Sequence, residues 1–212
     1  MDMEVVRGNT LRKFERDAQV YEQTSDGKFC ARVYPEILKE INATTYDSLL
    51  DVGCGTGSIL SGIPAEKKRC GIDLSGQMIE RAKETLGGAA ELRVGDAEAL
   101  PWPRKSFDAV CCTFSFHHYT YPGKVLSEMN RVLKTDGRLI LADPWIPGPF
   151  MPLLNAVIRF SDDGDFKEYS KRKITKLLSA NGFTVTAYRH PTNDSFLLTA
   201  RKSSVKGAIS NG

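Results

Sequence analysis

The 212-residue sequence predicts an α/β fold: a doubly wound, mostly parallel, seven-stranded sheet with helices on both faces and an antiparallel strand pair at its C-terminal end. Three observations predict it. Between Ser48 and Ala142, short strand-like runs alternate with amphipathic stretches of helical period. Right-handed crossovers turn such an alternation into a parallel sheet covered on both sides. The first run empties into a glycine-rich loop, and two further runs near the C-terminus are separated by a turn short enough for a hairpin.

Taken in order, the first 45 residues read as helical. Leu11, Phe14, Ala18 and Tyr21 recur at helical spacing, Asp26-Gly27 interrupts the pattern, and Val33, Ile37, Leu38 and Ile41 resume it, with Pro35 starting or kinking that segment. Ser48–Val52 is the first strand and Arg69–Asp73 the second. Ser75 is placed to N-cap a helix whose apolar stripe is Met78, Ile79, Ala82 and Leu86, closed by Gly87-Gly88. Glu91–Val94 and Phe107–Thr113 are the third and fourth strands. Val125, Leu126, Met129, Val132 and Leu133 form one face of a helix expected to stop near Asp136-Gly137, and Arg138–Ala142 is the fifth strand. After four prolines (144, 147, 149, 152), a helix carrying Ile174, Leu177 and Leu178 ends at Asn181-Gly182. Phe183–Tyr188 and Ser195–Ala200 form the hairpin pair.

The layout expected is one domain over 1–202. It divides into a helical lid over 1–45, a ligand-binding core over 46–143, a substrate-side insert over 144–170, a helix and strand pair over 171–202, and a flexible tail over 203–212. A chain of this length builds a core without metals or cross-links. The five cysteines are odd in number and form no C-x-x-C pair, so no metal site is expected, and Cys111-Cys112 reads as two buried thiols on a strand. A net charge of +3 is too small to mark a polyanion-binding surface. No apolar run is long enough to cross a bilayer, and the start lacks a secretory pattern, which predicts a cytoplasmic protein.

The segment Asp51-Val52-Gly53-Cys54-Gly55-Thr56-Gly57 leaves a strand and enters a helical turn, Ser58–Ser61. Here the backbone must turn sharply and admit a ligand closely, which glycine permits. Asp73 closes the next strand, where a carboxylate can take both hydroxyls of a ribose. The spacing is not G-x-G-x-x-G: the third glycine comes one place early and Ser58 stands where that pattern wants glycine. Asp51, two residues before Gly53, disfavours a pyrophosphate and suits a ligand carrying an ammonium or sulfonium. Together these favour an adenosyl ligand without phosphates.

The segment resembles motif I of the class I S-adenosylmethionine (SAM)-dependent methyltransferases. Gly71–Met78, Gly95–Pro101, Ser106–Val110 and Glu128–Leu139 resemble that family's later motifs, in order, across residues 49–143. Asp136 departs from the pattern, standing where the family has a glycine. The overall pattern is most similar to the small-molecule subset related to quinone-biosynthesis C-methyltransferases. The resemblance implies a Rossmann-like fold and SAM as cofactor. It implies that Gly53, Cys54 and Gly55, with Asp51, hold the methionine end, and that Asp73 holds the ribose. It implies that Leu74 and Met78 lie against the adenine, that Asp96 accepts the adenine amino group beside Ala97, and that Thr113 and Phe114 border the methionine part. Asp96 is equally placed to cap the next turn, and Met78 and Phe114 to serve as plain core. Asp17–Tyr21 resembles the family's lid helix, which brings Tyr21 toward cofactor or acceptor.

The loop Phe114–Tyr119 leaves the fourth strand at the expected ligand site. His118 is the candidate base for an acceptor that must lose a proton, against a purely structural role for His117 and His118 within the loop. His190, on the hairpin, reads as a surface residue. Trp145–Phe160 reads first as an acceptor-pocket wall, then as a homodimer contact, and last as a membrane-surface contact. The expected partner is a small-molecule methyl acceptor, with no stable nucleic-acid or membrane partner. The competing classes are a nicotinamide oxidoreductase, a non-catalytic SAM- or S-adenosylhomocysteine (SAH)-binding protein, and an RNA (tRNA) methyltransferase using Lys67-Lys68-Arg69 and Lys171-Arg172-Lys173.

Overall fold

A computed structural model describes residues 3–146 and 169–203. Most of the expected insert (147–168) and tail (204–212) lies outside the described residues. The chain runs α1 (Met3–Asp17), a 3₁₀ turn (Ala18–Gln23), α2 (Ser25–Asn42), β1 (Ser48–Val52), α3 (Ser58–Ser61), β2 (Lys68–Asp73), α4 (Gly76–Leu86) and β3 (Glu91–Val94). It continues through β4 (Phe107–Thr113), a second 3₁₀ turn (Phe116–His118), α5 (Pro122–Val132), β5 (Leu133–Pro144), α6 (Lys171–Ala180), β6 (Phe183–Arg189) and β7 (Ser195–Lys202). The seven strands lie in the order β3-β2-β1-β4-β5-β7-β6. β1 to β5 are parallel, while β7 pairs antiparallel with both β5 and β6.

Successive side chains of a strand point to opposite faces, and here both faces are apolar. Leu50, Val110, Cys112, Leu139 and Leu141 join one core with Val125, Met129, Ile174 and Leu178 of α5 and α6. Their neighbours Leu49, Ala109, Cys111, Ile140 and Ala142 join the other with Ile37 and Ile41 of α2, Leu60 of α3 and Ile79 of α4. All five cysteines are buried and free, Cys111 and Cys112 among them.

Local signals settle most element ends. Ser75 caps α4, its Oγ accepting from Met78 N at 3.1 Å. Two boundaries differ from expectation. The break between α1 and α2 is the 3₁₀ turn and the Thr24 cap, not Asp26-Gly27. Gly27 lies inside the first turn of α2, where a Cβ would come within 2.0 Å of Tyr21 O, so glycine serves close packing there rather than a turn. Pro35 sits inside a helix that continues through it. Helix α5 ends at Val132, before Asp136-Gly137, and β5 already begins at Leu133. Leu133 pairs with Phe107 across an irregularity in the ladder, and Ser106 N donates to Val132 O at 2.7 Å, so strand pairing takes the residues that helical periodicity claimed. Asp136 has a φ of 64°, the left-handed backbone for which glycine is the usual choice.

Candidate functional site

The carboxyl ends of β1, β2, β3 and β4 open onto one cavity of about 1040 Å³, open solvent at its mouth included, which α1, the first 3₁₀ turn and α2 cover. Its floor is the loop after β1. Gly53 N and Cys54 N both donate to Ile72 O, at 2.8 and 3.0 Å, tying the loop to β2. Gly53 has a φ of +75°, and a Cβ there would fall 2.4 Å from Ser115 Oγ. Gly55 has a φ of +51° but nothing within 4 Å of its Cβ position. Both positions need left-handed backbone; Gly53 is pressed against the β4 loop, while Gly55 forms a cradle open to the cavity.

Two carboxylates stand beside this loop. Asp73 Oδ2 accepts from Gly55 N and its Oδ1 from Ser75 N, each at 2.9 Å. A carboxylate has about four acceptor sites, so these bonds leave acceptor capacity for ligand hydroxyls. Burial raises the Asp73 pKa, against the pull of the Ser75, Gly55 and Leu74 backbone N–H groups. Asp51 is more deeply enclosed. Burial pushes its carboxyl up to about 7, with the Asp73 charge adding to the rise and the Cys111 thiol opposing it. That thiol donates to Asp51 Oδ1 at 3.3 Å because Asp51 and Cys111 face one another in the β1–β4 register. An acidic floor of this kind favours a cation above it.

At the β3 edge, Asp96 Oδ1 accepts from Glu98 N at 2.9 Å and Oδ2 pairs with Arg7 of α1 at 2.7 Å. The turn-capping geometry anticipated for Asp96 is therefore present, and the same carboxylate still lines the cavity. Beyond β4, Phe114 adopts a φ of 54°, which is rare for a residue with an aromatic side chain. Its ring packs edge-on against Phe29 at 5.4 Å and near Tyr34 at 6.5 Å. Burial pushes the hydroxyls of Tyr21, Tyr34 and Tyr119 up, so this wall is aromatic and uncharged. His118 faces the cavity with the Phe14 ring edge-on at 5.1 Å.

The candidate cofactor-binding residues and the candidate base all line this one cavity: Asp51, Gly53, Cys54, Gly55, Asp73, Leu74, Met78, Asp96, Ala97, Thr113, Phe114, Tyr21 and His118. Sequence reasoning missed others. Arg7 and Thr10 line the cavity with Phe14, at helical spacing along one face of α1, and Cys30 and Tyr34 do so one turn apart on α2. The spacing could have grouped them; nothing local says that this face meets a cavity. His190 is exposed on the hairpin, its ring 4.0 Å from that of Trp145.

A glycine cradle, a carboxylate with acceptor capacity left and a second acid beyond it, all at the carboxyl ends of a parallel sheet, define an adenosyl-binding α/β domain. Residues 50–141 match the family described as "Methyltransferase domain". Demethylmenaquinone methyltransferase of Thermotoga maritima is 32% identical over 145 residues, covering 64% of this chain and 61% of that protein. A Bacillus subtilis protein described as "Uncharacterized methyltransferase YcgJ" is 32% identical over 152 residues, covering 68% of this chain and 60% of its own length. The chain thus spans about three fifths of these curated relatives. A SAM-dependent methyltransferase from Aquifex aeolicus shares the fold, with a TM-score of 0.66, 22% identity, and 84% and 96% of the two chains covered. Residues 50–141 are thus similar to the class I SAM-dependent methyltransferase domain, for which SAM is the cofactor. The open cradle at Gly55 and the acidic floor at Asp51 and Asp73 fit a ligand that brings a ribose, a sulfonium and an ammonium.

Proposed function

We propose that the protein transfers the methyl group of SAM to a small, uncharged, largely apolar acceptor. The observation that carries this reading is the convergence of the Gly55 cradle, Asp73 and Asp96 in one cavity whose opposite wall is aromatic. Asp73 takes the ribose hydroxyls, with Leu74 and Met78 beside the adenine. Asp96 accepts the adenine amino group next to Ala97. Gly53, Cys54 and Gly55 pass under the methionine portion, with Asp51 below its positive charge and Thr113, Phe114 and Tyr21 around it.

SAM supplies a methyl group on a good leaving group, so the chain's task is alignment and exclusion of water. Helices α1 and α2 cover the reacting end, and Phe14, Tyr21, Tyr34 and Phe114 hold the acceptor in an apolar setting. His118, at the rim of that wall, takes the proton the acceptor releases. Relatives named demethylmenaquinone methyltransferase support an aromatic, quinol-type acceptor. Among the described residues no helix is long and apolar enough to cross a membrane.

The test starts with binding. SAH at 100 times its dissociation constant adds about 2.7 kcal/mol of stability, while NAD adds none. SAH formation is then measured with quinols, phenols, amines and tRNA as acceptors. Turnover confined to tRNA, or absent with every small molecule, overturns this reading of the acceptor; no shift with SAH overturns the assignment of the site.

A further inference from the structure

Asp51 lies near the carboxyl end of β1 with a strand on each side, and only one of its two cross-strand neighbours can donate to it. In register it faces Gly71 of β2, which has no side chain, and Cys111 of β4. The fully buried Cys111 thiol donates to Asp51 Oδ1 at 3.3 Å. Around the thiol the setting is apolar, with Leu49, Ala109 and Ile140 in the same core. Asp51 itself is 1% exposed and lines the cavity. Asp73, the Cys54 and Cys112 thiols and the Tyr34 hydroxyl also stand within electrostatic reach of it. Among the described residues none of these donates to the carboxylate, and no cation pairs with it. Burial raises the Asp51 carboxyl, and the thiol bond opposes that rise. Burial also holds the Cys111 thiol well above its ordinary value, so it keeps its proton, and remains a donor, while Asp51 titrates.

We propose that Cys111 is a positioning residue for the cofactor, its thiol orienting the Asp51 carboxylate and favouring the charged form that attracts the positive end of SAM. This rests on the reading that places Asp51 below that charge. A hydrogen bond to the charged form of an acid favours ionisation. SAM, a cation, binds best to ionised Asp51. Where the free protein still holds the proton, binding must expel it, and without the thiol that becomes harder. Where Asp51 is already ionised, the free and bound states lose the same contact and the effect cancels. A thiol that only filled space would alter affinity by the same factor at every pH.

The test compares wild type, Cys111→Val, which keeps the apolar contacts and loses the donor, and Cys111→Ser, which keeps a donor. Should the valine variant not fold, Cys111→Ala takes its place. SAM affinity is measured by calorimetry between about pH 6 and 9, the range in which the raised carboxyl changes charge. Each value is taken as a ratio to wild type, so the ligand's own titration cancels. Cys111→Val is expected to weaken binding roughly tenfold at the acid end, the lower range for a hydrogen bond to a charged group, and hardly at all at the alkaline end. Cys111→Ser is expected to stay close to wild type throughout. Melting of the ligand-free proteins needs no cofactor: the pH window in which stability falls is expected to move upward in Cys111→Val. No loss of affinity, a loss independent of pH, an equal loss in Cys111→Ser, or an unmoved melting window overturns the proposal. Failure of the wild type to bind SAM overturns the cofactor site instead, and an Asp51→Asn protein of wild-type affinity at every pH overturns the placement of Asp51.

Discussion

Arg7 of α1 and Asp96, just after β3, form an ion pair at 2.7 Å across the cavity, although one belongs to the N-terminal helices and the other to the parallel-sheet core. At its other end α1 is tied down by Glu15, whose Oε1 accepts from Ser75 Oγ at 3.0 Å and Gln77 N at 3.4 Å. The helix, which Lys13 also ties to Asp26 of α2 at 2.8 Å, thus lies like a strap over the end of the cavity proposed for the adenosine, and Arg7 occupies the Asp96 oxygen that Glu98 N leaves open. The pair is 34% and 33% exposed, so it adds no more than about 1 kcal/mol to stability. Arg7→Ala is expected to leave the melting temperature within a few degrees and to speed SAH association, most clearly at low salt. Stopped-flow binding at two ionic strengths checks this; slower or weaker binding would make Arg7 a direct cofactor contact.

Asp51 gives the site a pH dependence whose sign follows from its raised pKa. In the unfolded chain its carboxyl ionises near its ordinary value, while in the folded chain it keeps its proton up to about 7. The folded state therefore holds more protons between those values, and its contribution to stability is lost as pH rises through that window, at up to about 1.4 kcal/mol per pH unit. Asp51→Asn is expected to remove this slope and stabilise the ligand-free protein at pH above 7. A cationic ligand favours the ionised form, so SAM affinity rises from acid to neutral pH in the wild type and flattens in the variant. Melting curves and calorimetric SAM titrations across pH check both halves. A variant that keeps the wild-type slope would place the titration elsewhere.

Most of the core and of the proposed cofactor site was legible because its signals are local. The β1 loop declares itself by glycines at a strand end, Asp73 by its place at the next strand end, and α4 by Ser75 ahead of an apolar stripe. What stayed hidden is tertiary. Leu133 fits the α5 stripe as well as a strand, and only its pairing with Phe107 decides for β5. Asp136-Gly137 looks like a helix stop but is a left-handed turn within the ladder. Likewise, the His117 ring lies 2.8 Å from Asp143, 26 residues further on, and nothing near residue 143 announces it.

Ser75 joins three structures at once. Its Oγ accepts from Met78 N as the α4 cap and donates to Glu15 of the strap, and its own N–H holds Asp73. Ser75→Ala keeps the last contact and loses the other two. Loss of the cap costs about 1 kcal/mol, which lowers the melting temperature of a chain this size by roughly 2–4 °C. Losing the Glu15 contact also frees the strap, so α1 amides near Glu15 are expected to exchange hydrogen faster than in the wild type. Unchanged exchange there would mean that the other ion pairs of α1, Arg7–Asp96 and Lys13–Asp26, hold the helix down.

The two glycines of the β1 loop separate folding from binding. Alanine at either position pays for left-handed backbone, about 1–2 kcal/mol. At Gly53 the added Cβ also meets Ser115 Oγ at 2.4 Å, and that hydroxyl is committed to Val52 O at 3.1 Å and to Tyr119. Gly53→Ala must therefore displace the β4 loop and is expected to be the less stable of the two. At Gly55 the Cβ meets no protein atom and enters the space proposed for the methionine portion of SAM. Gly55→Ala is expected to fold with only the backbone penalty yet lose most of its SAH affinity. Paired melting and calorimetric measurements on the two variants check this order. Near-normal SAH binding by Gly55→Ala would mean that the cofactor does not pass over this glycine.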